Sequence, residues 1–152
     1  MTRLSQKGRV FTDVIVEVFR TKVAMLDAAE RLTRPVGLTT ARWQILGVVE
    51  QEPAPVAQIA RIVGLTRQSV QQTADAMEQD GLIKYRENPH HRRAKLVAVT
   101  PKARAALDYL RPRQLAWANL MGGRQTLDAL HAALAVLRRT REDIEQGAEE
   151  TR

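Results

Sequence analysis

The sequence predicts a mainly α-helical fold that contains one small β-hairpin. Apolar residues recur at helical spacing over residues 10–33 and again over 101–137. Between these segments, residues 59–100 contain a short helical pattern, a tight turn, a second helical pattern and two β-strand patterns. The helical segments make up most of the chain, so the strands are a small addition to a helical protein.

The first part of the chain predicts three helices. Residues 10–33 form a long amphipathic pattern. Thr39 suits the N-cap of a second helix over Thr40–Gln51, because its hydroxyl can accept a free backbone N–H of the first turn. A short helix over 56–63 follows Pro55, which has no side-chain acceptor for capping. The sequence therefore marks the start of this third helix less clearly than the start of the second.

A tight turn joins the short helix to a longer one. Gly64 suits the left-handed conformation that often follows a helix C-terminus. Thr66 suits an N-cap, and Val70, Ala74 and Met77 follow at i, i+4 and i+7 along the next helix. This spacing predicts a helix with one buried apolar face.

Two strand patterns, over 82–86 and 96–99, come directly after this helix. They flank the turn-forming pair Asn88-Pro89 and a basic tip, His90-His91-Arg92-Arg93. A helix-turn-helix followed by such a hairpin is a winged helix-turn-helix. This arrangement is typical of proteins that bind duplex DNA.

The polar face of the second helix supports DNA binding, since it has no acidic residue before Asp75. Glutamine can form a bidentate pair with adenine, and arginine with guanine, on the major-groove edges of DNA. A solvated helix face gives the same polar pattern, but the adjacent basic hairpin favours the DNA interpretation. The residues that we predict to contact DNA are Thr66, Arg67, Gln68, Ser69, Gln71, Gln72, Arg92 and Arg93.

The charge distribution favours a polyanionic partner. The formal net charge is +7 and the isoelectric point is about 10.5. Residues 54–104 contain nine Lys and Arg against four Asp and Glu, whereas residues 105–152 contain seven of each. The basic excess therefore coincides with the predicted DNA-binding segment.

Several function classes are excluded or disfavoured. The chain has no cysteine, which excludes disulfides and thiol nucleophiles. His90 and His91 are adjacent rather than three or four residues apart, so they do not suit a helical metal site. There is no phosphate-binding glycine loop, no signal sequence and no apolar run of about 20 residues. We expect a cytoplasmic protein that is not an enzyme, requires no metal or cofactor, and does not bind membranes.

The C-terminal part predicts two further helices. Thr100-Pro101 is a strong start signal for a helix over 101–121, and Pro112 inside it should produce a kink. A last helix over 124–146 carries leucines at helical spacing.

Both ends of the chain carry more apolar helical surface than the small central unit can cover. The economical explanation is a homodimer in which the terminal helices of two chains pack together, and the alternative is a monomer that folds them back on itself. The preferred dimerisation residues are Val10, Val14, Leu127, Leu130 and Leu134.

Five segments, in order and at matching spacing, resemble the MarR family of bacterial transcription regulators. The resemblance implies a dimeric winged helix-turn-helix, a palindromic operator and often a small-molecule inducer. It also implies that Arg92 enters the minor groove of the operator. The five segments are 38–46 (LTTARWQIL), 59–66 (IARIVGLT), 75–83 (DAMEQDGLI), 88–96 (NPHHRRAKL) and the Leu-x-x-x-Thr-Pro pattern over 96–101.

We expect three segments within one compact chain: an N-terminal dimerisation helix over 1–37, a DNA-binding core over 38–100 and C-terminal dimerisation helices over 101–152. The chain departs from the family at His91, where Asp is usual, and at Pro55, where a Ser or Thr cap is usual.

The resemblance also implies a pocket for a small-molecule effector. The aromatic candidates are Phe19, Trp43, Tyr109 and Trp117. Each of them also fits an ordinary core position, which we favour for Trp43. The sequence thus predicts a sequence-specific, double-stranded DNA-binding regulator, interpreted as a ligand-responsive repressor. The alternative is an architectural or protein-binding winged-helix module without ligand control.

Overall fold

The structure, a computed structural model, describes residues 3–150 of the chain, with side chains over 3–147. Residues 1–2 and 151–152, which belong to the predicted terminal segments, lie outside the described residues. The elements are α1 (Gln6–Thr33), a 3₁₀ turn (Arg34–Val36), α2 (Thr40–Val49), β1 (Ala54–Pro55), α3 (Val56–Val63), α4 (Arg67–Gln79), β2 (Ile83–Arg86), β3 (Leu96–Val99), α5 (Pro101–Gly122) and α6 (Leu127–Glu150). The predicted mainly α-helical class with a small β-hairpin is confirmed.

Threonine hydroxyls cap the N-termini of three helices, as the sequence predicts. The Oγ1 atoms of Thr39, Thr66 and Thr100 accept backbone N–H groups in the first turns of α2, α4 and α5, at 3.3, 3.1 and 3.3 Å. Each of these bonds satisfies an N–H that has no partner within its own helix. Capping is a local interaction, which is why the sequence predicts these starts well.

Other helix ends differ from the prediction by a few residues. Helix α1 starts at Gln6 instead of residue 10, because Ser5 Oγ accepts the Gly8 N–H at 3.0 Å. Helix α2 ends two residues early, at Val49. Helix α6 begins at Leu127 instead of 124, since Thr126 Oγ1 accepts the Ala129 N–H, and it continues to Glu150.

A short strand that the sequence did not predict enlarges the hairpin to a three-stranded antiparallel sheet with the order β1-β3-β2. In β1, Ala54 pairs with Val97 and Pro55 with Leu96. Proline has no N–H to give to a strand ladder, so Pro55 is an unusual strand residue and fits only at such an edge. It also precedes α3 without a side-chain capping bond, as its chemistry requires.

The described residues divide into two compact units, the first ending at Arg111 and the second beginning at Pro112. The core of the first unit lies where α2, α3, α4 and the sheet meet. Its largest completely buried apolar side chains are Ile45, Leu46, Val49, Ile59, Val70, Met77, Ile83, Val97 and Leu110. The apolar face predicted for α4 therefore forms part of this core.

Apolar side chains remain exposed on the long terminal helices. In the first unit, α1 exposes Val10, Phe11, Val14, Ile15, Val18 and Phe19. In the second unit, α6 exposes Leu127, Leu130, Leu134, Leu137 and Ile144. Helix α5 continues through Pro112, and the kink expected there stays a prediction.

The backbone conformation at position 64 favours glycine. Its φ angle is +70°, and a Cβ built on it would meet no atom within 4 Å. Gly64→Ala should lower the free energy of unfolding by about 1–2 kcal/mol, because alanine disfavours left-handed backbone. Gly47→Ala is the matched control, since Gly47 lies in α2 and its Cβ would also meet open space. That change should raise stability by about 0.5–1 kcal/mol.

Urea-induced unfolding of both variants measures these effects. Equal stability changes for the two alanine variants would contradict the backbone explanation.

Candidate nucleic-acid interface

The exposed start of α4 presents polar side chains that point away from the core. Val70, Ala74 and Met77 are completely buried. Because successive residues of a helix are 100° apart, their burial turns Gln68 and Gln72 outwards. The predicted contact residues Thr66, Arg67, Gln68, Ser69, Gln71 and Gln72 are all exposed.

The hairpin tip has a defined turn geometry. The Asn88 Oδ1 atom accepts the His90 N–H at 3.0 Å, and the Asn88 carbonyl accepts the His91 N–H at 3.2 Å. The His91 carbonyl in turn accepts the Ala94 N–H at 3.0 Å. Arg92 and Arg93 lie in this ordered turn with exposed side chains. The wing, which we define as residues 83–99, therefore presents its arginines on a short and internally bonded loop.

An open cleft of about 720 Å³ lies between α4 and the wing. Within the described part of the chain, no ion pair joins Arg67, Arg92 or Arg93 to a carboxylate. These guanidinium groups can therefore face an external anion. The charged side chains that line the cleft are Arg67, Arg92, Arg93 and Lys95 on the cationic side and Asp75 and Glu78 on the anionic side.

A cluster of Gln71, Asp75 and Tyr85 connects α4 to β2 inside the cleft, and we call it the Tyr85 cluster. The Tyr85 hydroxyl donates to Asp75 Oδ1 at 2.6 Å. The Gln71 amide Nε2 donates to the same Oδ1 at 2.8 Å and to the Tyr85 hydroxyl oxygen at 2.9 Å. The sequence did not predict this cluster, although the spacing of Gln71 and Asp75 does place them on one helix face.

The hydrogen bonds of this cluster shift two pKa values in opposite directions. Donation by the Tyr85 hydroxyl, and then by Gln71, lowers the pKa of Asp75. Partial burial, and then the neighbouring Asp75, raises the pKa of Tyr85. Near neutral pH the carboxylate is therefore ionised while the phenol keeps its proton, so the donor and acceptor roles are fixed.

The residues predicted for an effector pocket are distributed over both units. Phe19 and Tyr109 are exposed in the first unit, whereas Trp43 is half-buried and packs against the core there. Trp117 is half-buried in the second unit. The effector pocket stays a prediction.

The described residues show neither a metal site nor a membrane-spanning helix. Over that part of the chain, no three His, Asp or Glu side chains come together in a group that could hold a metal ion. None of the helices described is both long enough and apolar enough to cross a membrane.

Comparison with known protein families gives a match over the centre of the chain. The sequence model of the MarR family matches residues 36–94. An uncharacterized protein of Mycobacterium tuberculosis is 33% identical over 126 residues, which cover 83% of this chain and 88% of the relative. A protein of Mycobacterium bovis matches to the same extent.

Solved structures match over nearly the whole chain. The regulator AbsC of Streptomyces coelicolor has a TM-score of 0.79 at 16% identity, covering 96% of this chain and 99% of AbsC. The regulator MosR of M. tuberculosis, in complex with DNA, has a TM-score of 0.71 at 22% identity, covering 86% and 96%. The repressor CouR, bound to a 23-mer DNA duplex, has a TM-score of 0.69 at 25% identity, covering 90% and 99%. The predicted winged helix-turn-helix fold and the predicted family are thereby confirmed.

Proposed function

The chain belongs to the MarR family of transcription regulators, and we propose that it binds a palindromic DNA operator sequence-specifically as a homodimer. We further propose that it is a cytoplasmic bacterial repressor that a small molecule releases from DNA, and that it has no enzymatic activity. The observation that carries this proposal is the exposed polar start of α4 beside a cleft with unpaired arginines. Similarity to CouR, a repressor bound to a DNA duplex, also supports DNA binding.

Helix α4 is the proposed recognition helix for the major groove. Gln68, Ser69 and Gln72 lie near its N-terminus and face away from the core. In helix-turn-helix proteins the N-terminal residues of the second helix contact base edges. Arg67 precedes them and can contact either a guanine edge or a phosphate.

The wing is the proposed second contact. Arg92 would enter the minor groove, and Arg93 would contact the phosphate backbone. An arginine in a narrow minor groove responds to the shape and potential of the DNA, while phosphate contacts fix register without distinguishing sequences. Base recognition by α4 and shape recognition by the wing would together define the operator.

The exposed apolar helices support a homodimer. Leu130 and Leu134 lie one turn apart on α6, and Val10 and Val14 lie one turn apart on α1; all four are exposed in the single chain. Such contiguous apolar surface commonly marks an interface. A two-fold axis would separate the two recognition helices by about one DNA turn, roughly 34 Å, and the operator would then be palindromic.

An architectural role without sequence preference is less favoured. Non-specific binding depends on phosphate contacts alone. It would not need the amide side chains Gln68, Gln71 and Gln72 on one exposed helix face. Amides carry a donor and an acceptor, the combination that distinguishes adenine in the major groove.

Replacing Gln72 tests the base-contact proposal. Gln72→Ala should weaken binding to the preferred duplex by about 1–3 kcal/mol and leave binding to random duplex unchanged. Gln79→Ala is the matched control, because Gln79 is an exposed glutamine at the other end of α4. It should bind both duplexes like the wild type. Fluorescence anisotropy at fixed salt measures all the affinities, and equal losses on both duplexes would refute base contact by Gln72.

Charges in the proposed interface test the dimer. Leu130→Asp/Leu134→Asp should give monomer or unfolded chain, because association would bury unpaired carboxylates. Ala132→Asp/Ala135→Asp places the same charges at exposed positions on the other side of α6 and should remain dimeric. Sedimentation velocity distinguishes these species. A wild type that is monomeric at micromolar concentration would refute the homodimer proposal.

A further inference from the structure

The wing is bonded to α4 and its C-terminal turn at two levels. At the base, Leu82 and Thr100 flank the wing on either side, and the Thr100 hydroxyl bonds to the carbonyl oxygens of Gly81 and Leu82 at 2.6 and 3.0 Å. The Leu82 N–H donates to the Met77 carbonyl at 2.9 Å. The second level is further along β2, at Tyr85.

The Tyr85 cluster at this second level is a closed triangle of three atoms. They are the Asp75 Oδ1, the Tyr85 hydroxyl oxygen and the Gln71 Nε2, with separations of 2.6, 2.8 and 2.9 Å. The angle at Nε2 between its two acceptors is therefore about 54°, roughly half the angle between the two N–H bonds of a planar amide. One N–H thus points between both oxygens, and the other N–H is directed away from them.

We propose that the Tyr85 cluster sets the geometry between the wing arginines and the recognition helix, with Tyr85 as a positioning residue for operator recognition. The inference rests on the proposed function, since it assigns a role within DNA binding. It also gives Gln71 a different role from Gln68 and Gln72, which bond to no other side chain in the described part of the chain.

The position of Tyr85 explains why it matters for the wing. Tyr85 pairs with Val97 across the hairpin, and only Arg86 and Leu96 pair beyond it before the nine-residue loop that carries Arg92 and Arg93. A tie to α4 at Tyr85 therefore restrains the sheet close to the loop. Without it, only the 3.4 Å bond from the Tyr85 N–H to Glu78 and the packing of the Tyr85 ring would hold this part of the hairpin to α4.

The cluster also fixes the orientation of the Gln71 amide. An ionised carboxylate can only accept hydrogen bonds, so Asp75 requires the nitrogen end of the amide to face it. The Gln71 Oε1 is then directed away from Asp75 and is available as an acceptor. A major-groove donor, the N4 amino group of cytosine or the N6 amino group of adenine, is the matching base group.

The electrostatics of the cluster keep this arrangement in place over the ordinary pH range. The pKa of Asp75 is lowered by its two donors, and the pKa of Tyr85 is raised by burial and by Asp75. Glu78 also faces Tyr85, since its Oε1 accepts the Tyr85 N–H at 3.4 Å. Both carboxylates therefore have donors on the wing strand, which explains why a cleft suited to phosphate tolerates them.

Removal of one hydroxyl tests the proposal. Tyr85→Phe keeps the ring that packs against the core and removes only the hydroxyl, which donates to Asp75 and accepts from Gln71. The probe is the duplex that the wild type selects from a random library, with an unselected duplex as comparison. The variant should bind the selected duplex about three- to tenfold more weakly, the range expected for one hydrogen bond, and bind the unselected duplex equally well.

A double-mutant cycle separates positioning from general destabilisation. Tyr85→Phe combined with Asp75→Asn should lose little more affinity for the selected duplex than either single change, because both break the same bond. Tyr85→Phe combined with Glu78→Gln should give effects on affinity that multiply, since Glu78 bonds to the Tyr85 backbone N–H and not to its hydroxyl. Multiplying losses in both cycles would overturn the proposal, and so would an unchanged Tyr85→Phe affinity.

Titration of the phenol gives a readout independent of DNA. The chain has two tyrosines, so the difference between the ultraviolet absorbance titrations of wild type and Tyr85→Phe isolates Tyr85. That difference should show no ionisation near pH 10, where a tyrosine ordinarily ionises. Asp75→Asn should bring the pKa of Tyr85 closer to this ordinary value. Ionisation of Tyr85 at its ordinary pH in the wild type would contradict the cluster.

Two outcomes would refute different proposals. A wild type that prefers no duplex over random DNA would refute the proposed function itself. A wild type with a clear preference, which Tyr85→Phe retains in full, would refute only the role of the Tyr85 cluster.

Discussion

Burial of one face of α4 is the constraint on which the rest of the structure depends. Val70, Ala74 and Met77 have no exposed surface, and the neighbouring α2, α3 and β2 pack around that face. With the helix rotation fixed in this way, the residues on the opposite face of the first two turns point outwards, and they include Gln68, Ser69, Gln71 and Gln72. The wing continues from the end of the same helix, so its arginines lie beside that polar face. The geometry of the candidate DNA interface therefore follows from the packing of α4 against the core.

Local interactions explain how much of the fold the sequence predicts. The hydroxyls of Thr39, Thr66 and Thr100 each accept a backbone N–H from three residues further along the chain, and these helix starts are found where the sequence indicates them. The left-handed Gly64 is equally local. The exposed start of α4, and with it most of the candidate site, follows from the same patterns. Family resemblance agrees with this reasoning over part of the chain, since the matched region, residues 36–94, covers α2, α3 and α4 with the Thr39 and Thr66 caps and Gly64.

Features that depend on contacts distant in sequence were not predicted. Strand β1 forms only because Ala54 lies beside Val97, more than forty residues away, and its proline gives no strand signal. The Tyr85 cluster joins residues that are ten and fourteen positions apart, and only the relative placement of α4 and β2 brings them together. From the sequence, Gln71 was simply one more polar residue on an exposed face. The structure shows that part of its amide is already bonded.

Sequence-specific recognition of duplex DNA is the central claim of this account. A genome-wide footprint of the bound protein in its native host tests it most directly, because the measurement presupposes neither the operator sequence nor the effector. Sequence-specific recognition predicts occupancy at a small number of palindromic sites in promoters, with half-sites separated by about one helical turn. Diffuse occupancy along the chromosome, without a shared sequence, would contradict sequence-specific recognition.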